Sequence, residues 1–192
     1  EIGGVGCLAG VPGTVGGAIR MNAGTRLGEI GDRVAFVRVM LPNGSTANLT
    51  PDAIDFKYRR ATLPPDAVVT RVGLWVSKDR FSEERAQRKE HLEYRRASQP
   101  LDQPSCGSTF KNPPGDAAGR LIDAAGLKGR TIGGAAISEK HANFFINTGN
   151  ATAADLHALI KLARDTVEEQ FSITLEPEVH AVGDWPEGTW PL

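Results

Sequence analysis

The 192-residue chain has only two cysteines, Cys7 and Cys106. They lie far apart and neither sits in a Cys/His cluster with metal-ligand spacing, so no metal site is readable and reduced thiols are expected rather than a disulfide. An excess of either charge is also missing. With 22 Lys and Arg against 23 Asp and Glu the formal net charge is −1, which removes the electrostatic case for nucleic acid or an anionic membrane as partner. No apolar run approaches the roughly 20 residues that span a bilayer. Internal repeats and low-complexity tracts are absent too, and the chain opens at Glu1 without an initiator Met or a signal-like segment. These absences lead to the expectation of a soluble, cytoplasmic, monomeric protein, read here as N-terminally incomplete.

Glycine, by contrast, is concentrated. Residues 3–24 carry eight glycines among apolar residues, too hydrophobic for a flexible linker and suited to closely approached backbone. Pro12 and Gly13 turn the chain, and Thr14 can cap a short helix. Arg33–Met40, the turn Pro42-Asn43-Gly44 and Ser45–Leu49 predict a β-hairpin, and Val68–Val76 a further strand. Ser82–Arg96 is a charged, solvated helix by composition. After Gly115 the signals turn helical: Asp116 can cap Ala117–Ala125, ended by Gly126. Thr152 to Asp155 approximates a capping box opening an amphipathic helix over Ala153–Gln170. Strands are expected at Ala135–Ser138, Ala142–Asn147 and Glu178–Val182. The class is α+β, with one unit over residues 1–80, a second over 81–180, and a tail over 181–192 packed back on the surface.

Three polar runs stand out. Phe56-Lys57-Tyr58-Arg59-Arg60 offers guanidinium forks that can hold a carboxylate bidentately. Pro104 to Pro113 (PSCGSTFKNP) packs a hydroxyl, an ammonium and a carboxamide into one turn-bounded run, with Ser108–Asn112 read as a short strand. Leu175-Glu176-Pro177-Glu178-Val179 places a carboxylate at the head of a strand. Taken singly, an Arg is usually a surface ion pair, a Ser a turn residue and a Glu a solvated edge.

In combination and in order, the motifs resemble the UDP-N-acetylenolpyruvoylglucosamine reductases, the MurB family of UDP-N-acetylmuramate dehydrogenases. The carriers are LAGVPGTVGGAIRMNAG (8–24), FKYRRA (56–61), RRASQP (95–100), PSCGSTFKNP (104–113), GRLIDAAGLKG (119–129), GGAAISEKHANFFINTG (133–149) and LEPEV (175–179). The resemblance implies an NADPH-dependent FAD enzyme of peptidoglycan precursor synthesis that reduces the enolpyruvyl group of a UDP-sugar. It implies residues 1–80 as the second of two FAD-binding subdomains, the first being absent, and 81–180 as the substrate-binding domain. By position it casts Arg59, Ser108 and Glu178 as catalytic. Gly10, Pro12, Gly13, Thr14, Gly16, Gly17, Asn22 and Gly24 would meet the cofactor, and Arg96, Gln99, Lys111 and Asn112 the substrate.

Departures accompany the match. Cys106 stands where Ala is more usual and His180 where Arg often follows. The connection from Lys78 to Pro104 is too short for the Tyr-bearing insertion of one subclass, so Tyr94 is not given that role. With one flavin subdomain missing, the chain as it stands is expected to hold FAD poorly. Two other readings remain open at this level: a non-enzymatic nucleotide-sugar binding module, and a different FAD-dependent oxidoreductase on the same fold.

Overall fold

The structure is a computed structural model that describes residues 2–186, 188 and 189. It divides into two compact units, Glu1–Tyr94 and Arg95–Leu192. Both combine antiparallel sheets with helices, as the expected α+β class requires. The division falls inside a helix rather than at residue 81, because the charged segment forms one continuous helix from Phe81 to Ser98.

In the first unit a 3-10 turn at Gly6–Leu8 leads to α1 (Val15–Arg20), followed by the two-residue strands β1 (Gly24–Thr25) and β2 (Gly28–Glu29). A second 3-10 turn at Ile30–Arg33 runs into β3 (Val34–Met40), which pairs antiparallel with β4 (Thr46–Leu49). The short helix α2 (Pro51–Ile54) follows, with Pro51 in its first turn, where a missing N–H leaves no bond unmade. β5 (Val68–Leu74) then adds to the other side of β3, giving the order β4-β3-β5. Gly73 is required there, since a Cβ would come within 2.3 Å of the Phe36 ring.

Ile19, Ile30, Val34, Val37, Val39 and Ile54 form the buried core of this unit, with α1 laid on β5. The helix that crosses the division, α3 (Phe81–Ser98), braces the glycine-rich start of the chain: Glu84 accepts from the amides of Gly4 (2.6 Å) and Gly6 (3.3 Å).

The second unit carries a four-stranded antiparallel sheet in the order β6-β9-β8-β7. Its members are β6 (Ser105–Ser108), β7 (Thr131–Ile132), β8 (Ala135–Ile137) and β9 (Phe144–Asn147), with helix α4 (Ala118–Ala124) between β6 and β7. α5 (Ala153–Phe171) begins at the capping box: Thr152 Oγ1 accepts from the Asp155 amide and the Asp155 carboxylate from the Thr152 amide. Leu159, Ile160, Ala163 and Val167 recur at helical spacing and are buried with Leu121, Ile122, Ile137 and Phe145.

Two expectations change. The strand predicted over Glu178–Val182 does not form; the segment pairs through a single bridge, Phe110 with Pro177, and Val182 is 89% exposed. The strand expected over Ser108–Asn112 ends at Ser108 and starts earlier, at Ser105. Part of the expected tail is visible, with the Trp185 ring 5.5 Å from that of His157 and the Thr189 carbonyl 2.9 Å from His157 Nε2. The rest of that tail, Glu187 and Trp190 to Leu192, lies outside the described residues.

Candidate functional site

In the first unit the glycine-rich loop presents backbone. Gly10, Pro12, Gly13 and Thr14 are exposed. Gly13 holds φ +103°, a conformation side chains rarely adopt, and a Cβ built there meets nothing within 4 Å. Open space beside a glycine backbone suits close approach by a ligand. Thr14 is already employed: its hydroxyl accepts from the Gly17 amide at 3.1 Å and its carbonyl from the Ala18 amide at 2.9 Å, capping α1. Gly16 lies 3.6 Å from Val69 by its missing Cβ, a packing contact.

Asn22 and Gly24 face inward instead. The Asn22 side chain is buried, with Nδ2 donating to Glu29 Oε2 (2.6 Å) and to the Lys57 carbonyl (3.0 Å), while Oδ1 accepts from the Gly31 amide (3.0 Å). A carboxamide has two N–H donors and both are spent within the unit. A Cβ on Gly24 would lie 2.6 Å from the Gly28 oxygen, so that glycine is fixed by the tight β1–β2 contact.

Arg59 sits at φ +53° in a turn closed by reciprocal Lys57–Arg60 backbone bonds. Its Nη2 donates to the Gly24 carbonyl at 3.3 Å, its Nη1 lies 3.7 Å from Glu29 Oε1, and the guanidinium stacks 4.9 Å from the Tyr58 ring centroid. Glu29 thereby joins Asn22 to Arg59. Its acidic side chain follows the glycine run in sequence but has no spacing to Arg59 that could have revealed the contact. Arg60, next in the chain, is exposed.

In the second unit Ser108 closes β6. Gly107 at φ +82° carries the bulge between the Ser105–Ile146 and Ser108–Phe144 pairs. Beyond Ser108 the backbone is gripped on both sides. The Thr109 amide donates to the Asn143 carbonyl (2.8 Å), its carbonyl accepts from the Glu178 amide (2.8 Å), and the Lys111 amide donates to the Glu176 carbonyl (2.9 Å). Ser108 and Glu178 are thus brought together through Thr109, and both are half-buried.

Cys106 is free and exposed as a residue, yet its thiol is raised above the ordinary value, chiefly by burial of the sulfur and also by the negative Glu178 carboxylate. Cys7, the other free thiol, is buried, so neither cysteine is in a disulfide.

The expected substrate contacts have internal partners too. Lys111 Nζ pairs with Glu176, and Asn112 Oδ1 accepts from the Ala118 amide at 3.0 Å, tying the PSCGSTFKNP run to the start of α4. Asp116 also accepts, from the Ala117 amide at 2.7 Å. Gln99 Oε1 takes a hydrogen bond from Arg95 Nε at 2.9 Å, while the exposed Arg96 gives its carbonyl to Lys140 Nζ. Among the described residues no cluster of metal-ligating side chains occurs, and no helix is long and apolar enough to cross a membrane.

The model of the UDP-N-acetylenolpyruvoylglucosamine reductase C-terminal domain matches residues 99–182. UDP-N-acetylenolpyruvoylglucosamine reductase of Anaeromyxobacter dehalogenans strain 2CP-C is 52% identical over 180 residues, 93% of this chain and 54% of the relative. Residues 99–182 are thus those of a UDP-N-acetylenolpyruvoylglucosamine reductase C-terminal domain. The Myxococcus xanthus enzyme of that name is 46% identical over 178 residues, covering 93% of this chain and 57% of the relative. The crystal structure of UDP-N-acetylenolpyruvylglucosamine reductase from Thermus caldophilus superposes with a TM-score of 0.82 at 41% identity, over 93% of this chain and 64% of that one. The chain therefore spans a little over half the length of the curated relatives it matches.

Proposed function

We propose that the chain supplies the catalytic groups of an NADPH-dependent, FAD-containing reductase that converts the enolpyruvyl ether of UDP-N-acetylenolpyruvoylglucosamine to the lactyl ether of UDP-N-acetylmuramate, in peptidoglycan precursor synthesis. The observation that carries this reading is the double grip on Thr109, which holds the Ser108 hydroxyl run and the Glu178 backbone together in a family whose named members reduce that substrate. The exposed loop from Gly10 to Gly17, open beside Gly13, fits close approach by a dinucleotide cofactor. Gly10, Pro12, Gly13, Thr14, Gly16 and Gly17 would hold it, while Asn22 and Gly24 fix the neighbouring β1–β2 turn and the Lys57 carbonyl. A bound flavin would supply two-electron hydride chemistry there, with NADPH as the source of the electrons.

The chain's own residues manage the charge and the proton. Reduction at the vinyl terminus leaves negative charge on the neighbouring carbon and its carboxylate. Arg59, a planar fork kept in place by the Gly24 carbonyl and Glu29, complements that charge bidentately. Ser108 donates the proton to carbon. A neutral hydroxyl is a weak acid, so the match depends on a strongly basic carbanion as its partner. Glu178, taking up a proton when substrate is bound, stabilises the same species by donating a hydrogen bond to it. Lys111, Asn112, Arg96 and Gln99 take the sugar nucleotide, which requires Lys111 to exchange Glu176 for substrate oxygen.

The direct test is product mass. Flavin-loaded protein with NADPH and the enolpyruvyl substrate should yield a product heavier by two hydrogens and consume NADPH in equal amount. Substrate binding without turnover would instead favour a binding module, and NADPH-independent oxidation of an alcohol or sugar a different oxidoreductase.

A further inference from the structure

Beyond Ser108 the sheet ends, yet the chain stays ordered. β9 begins at Phe144, the pairing partner of Ser108. Just before it the backbone turns away at His141–Asn143, where the Phe144 amide bonds to the His141 carbonyl (2.9 Å) and the Asn143 amide to His141 Nδ1 (3.2 Å). Phe110, two residues past Ser108 and 1% exposed, therefore has no strand backbone opposite it on this side. The Asn143 side chain fills the role: Oδ1 accepts from the Phe110 amide at 2.9 Å, and Nδ2 donates to the Phe110 carbonyl at 2.8 Å. A carboxamide presents one acceptor and a donor in the geometry of a peptide group, so a single side chain continues the ladder where the main chain has left it.

On the far side the same stretch is bonded to the amide of Glu178 and the carbonyl of Glu176. Asn143 is 3% exposed and remote from solvent. We infer that Asn143 is a positioning residue of this enzyme: its carboxamide stands in for a strand partner of Phe110 and so fixes the backbone that sets Ser108 against Glu178. The inference rests on the proposed roles of Ser108 and Glu178, since positioning matters to catalysis only if those two groups act on the substrate. Its sequence trace is faint. One polar residue, Asn143, opens the otherwise apolar run Phe144-Phe145-Ile146.

Asn143→Asp tests it. An ionised carboxylate keeps the acceptor for the Phe110 amide but loses the donor, and sets oxygen against the Phe110 carbonyl. A protonated carboxyl regains a donor, and burial favours that neutral form. The variant should reduce its flavin with NADPH within about twofold of wild type while substrate-driven reoxidation at about pH 8 slows tenfold or more, and the gap should narrow towards about pH 5.5. His141, Lys111, Glu176 and Glu178 are the charged or titratable groups that face the same segment in wild type and variant alike, so the variant-to-wild-type ratio is the quantity to follow.

Amide hydrogen exchange gives a readout independent of turnover: at about pH 8 the peptide amides of Phe110 and Glu178 should exchange at least tenfold faster in the variant, with α5 unchanged. Wild-type reoxidation at pH 8, a deficit that ignores pH, or unaltered exchange at Phe110 overturns the inference. A wild-type enzyme that does not reduce the enolpyruvyl substrate overturns the proposed function instead, and the exchange result then decides whether Asn143 orders the Ser108 segment.

Discussion

Arg59 is the residue at which chemistry and conformation are most tightly joined. Its backbone lies at φ +53° and its guanidinium is divided between the Gly24 carbonyl, Glu29 and the Tyr58 face. Lys has one compact ammonium and cannot grip a carboxylate with two parallel bonds or stack as a plane. Arg59→Lys should therefore slow substrate reduction by roughly 100-fold, the loss expected for one well-placed charge donor in a transition state. Arg60→Lys, at the exposed neighbouring position, should stay within about twofold in the same steady-state assay. Equal rates for wild type and the Arg59 variant would return Arg59 to the role of a surface ion pair. The FKYRRA motif made Arg59 legible as a candidate, but Glu29 was not, because its grip on Arg59 and Asn22 depends on how β1, β2 and the 57–60 turn fold together. Asn22 shows the converse. Its place in a glycine-rich motif points to the cofactor, whereas both of its donors serve the protein interior.

At the scale of elements, the capping box of α5 and its apolar stripe were readable because both depend on residues three or four apart. The Glu178–Val182 strand was misread for a related reason. LEPEV reads as the head of a strand, but Pro177 has no N–H to give, and pairing reduces to the bonds of Glu176 and Glu178 to the segment beyond Ser108. Gly107 makes a testable case of local conformation deciding a site. Its missing Cβ would meet nothing within 4 Å, so any cost of Gly107→Ala comes from φ +82° and not from a clash. The substitution should destabilise the protein by about 1–2 kcal/mol in urea unfolding, the usual penalty for placing an L side chain in the left-handed region. It should also reduce turnover by displacing Ser108. Unchanged stability would mean that the β6 bulge relaxes to accept a side chain.

For the molecule as a whole, the α+β class and the reductase family were legible from motifs spread over nearly the full sequence, while the division at Tyr94 was not. A helix continuous in composition gives no sign of where packing changes hands. Acid stability is a property of this scale with a local origin. His141 is held below its ordinary pKa mainly by burial, with Lys128 adding to the effect. Its folded pKa thus lies below the unfolded value, so the unfolded state binds the proton more readily. Stability is intact above about pH 6.5, the unfolded value, and declines as the pH falls through the lower folded one. Urea midpoints measured from about pH 7.5 to 5 should fall, and His141→Gln should flatten that fall. A slope unchanged by the substitution would place the acid sensitivity elsewhere.

The central claim is that Ser108 gives the proton in substrate reduction, and the two half-reactions separate that role from folding. Stopped-flow absorbance of flavin-loaded Ser108→Ala should show NADPH bleaching the flavin at nearly the wild-type rate. Recolouring by the enolpyruvyl substrate should be at least 100-fold slower, the scale of a lost general acid, with partial recovery in Ser108→Cys, whose thiol is the stronger acid. Equal losses in both half-reactions, or none in the second, would contradict the account and leave Glu178 as the next candidate donor.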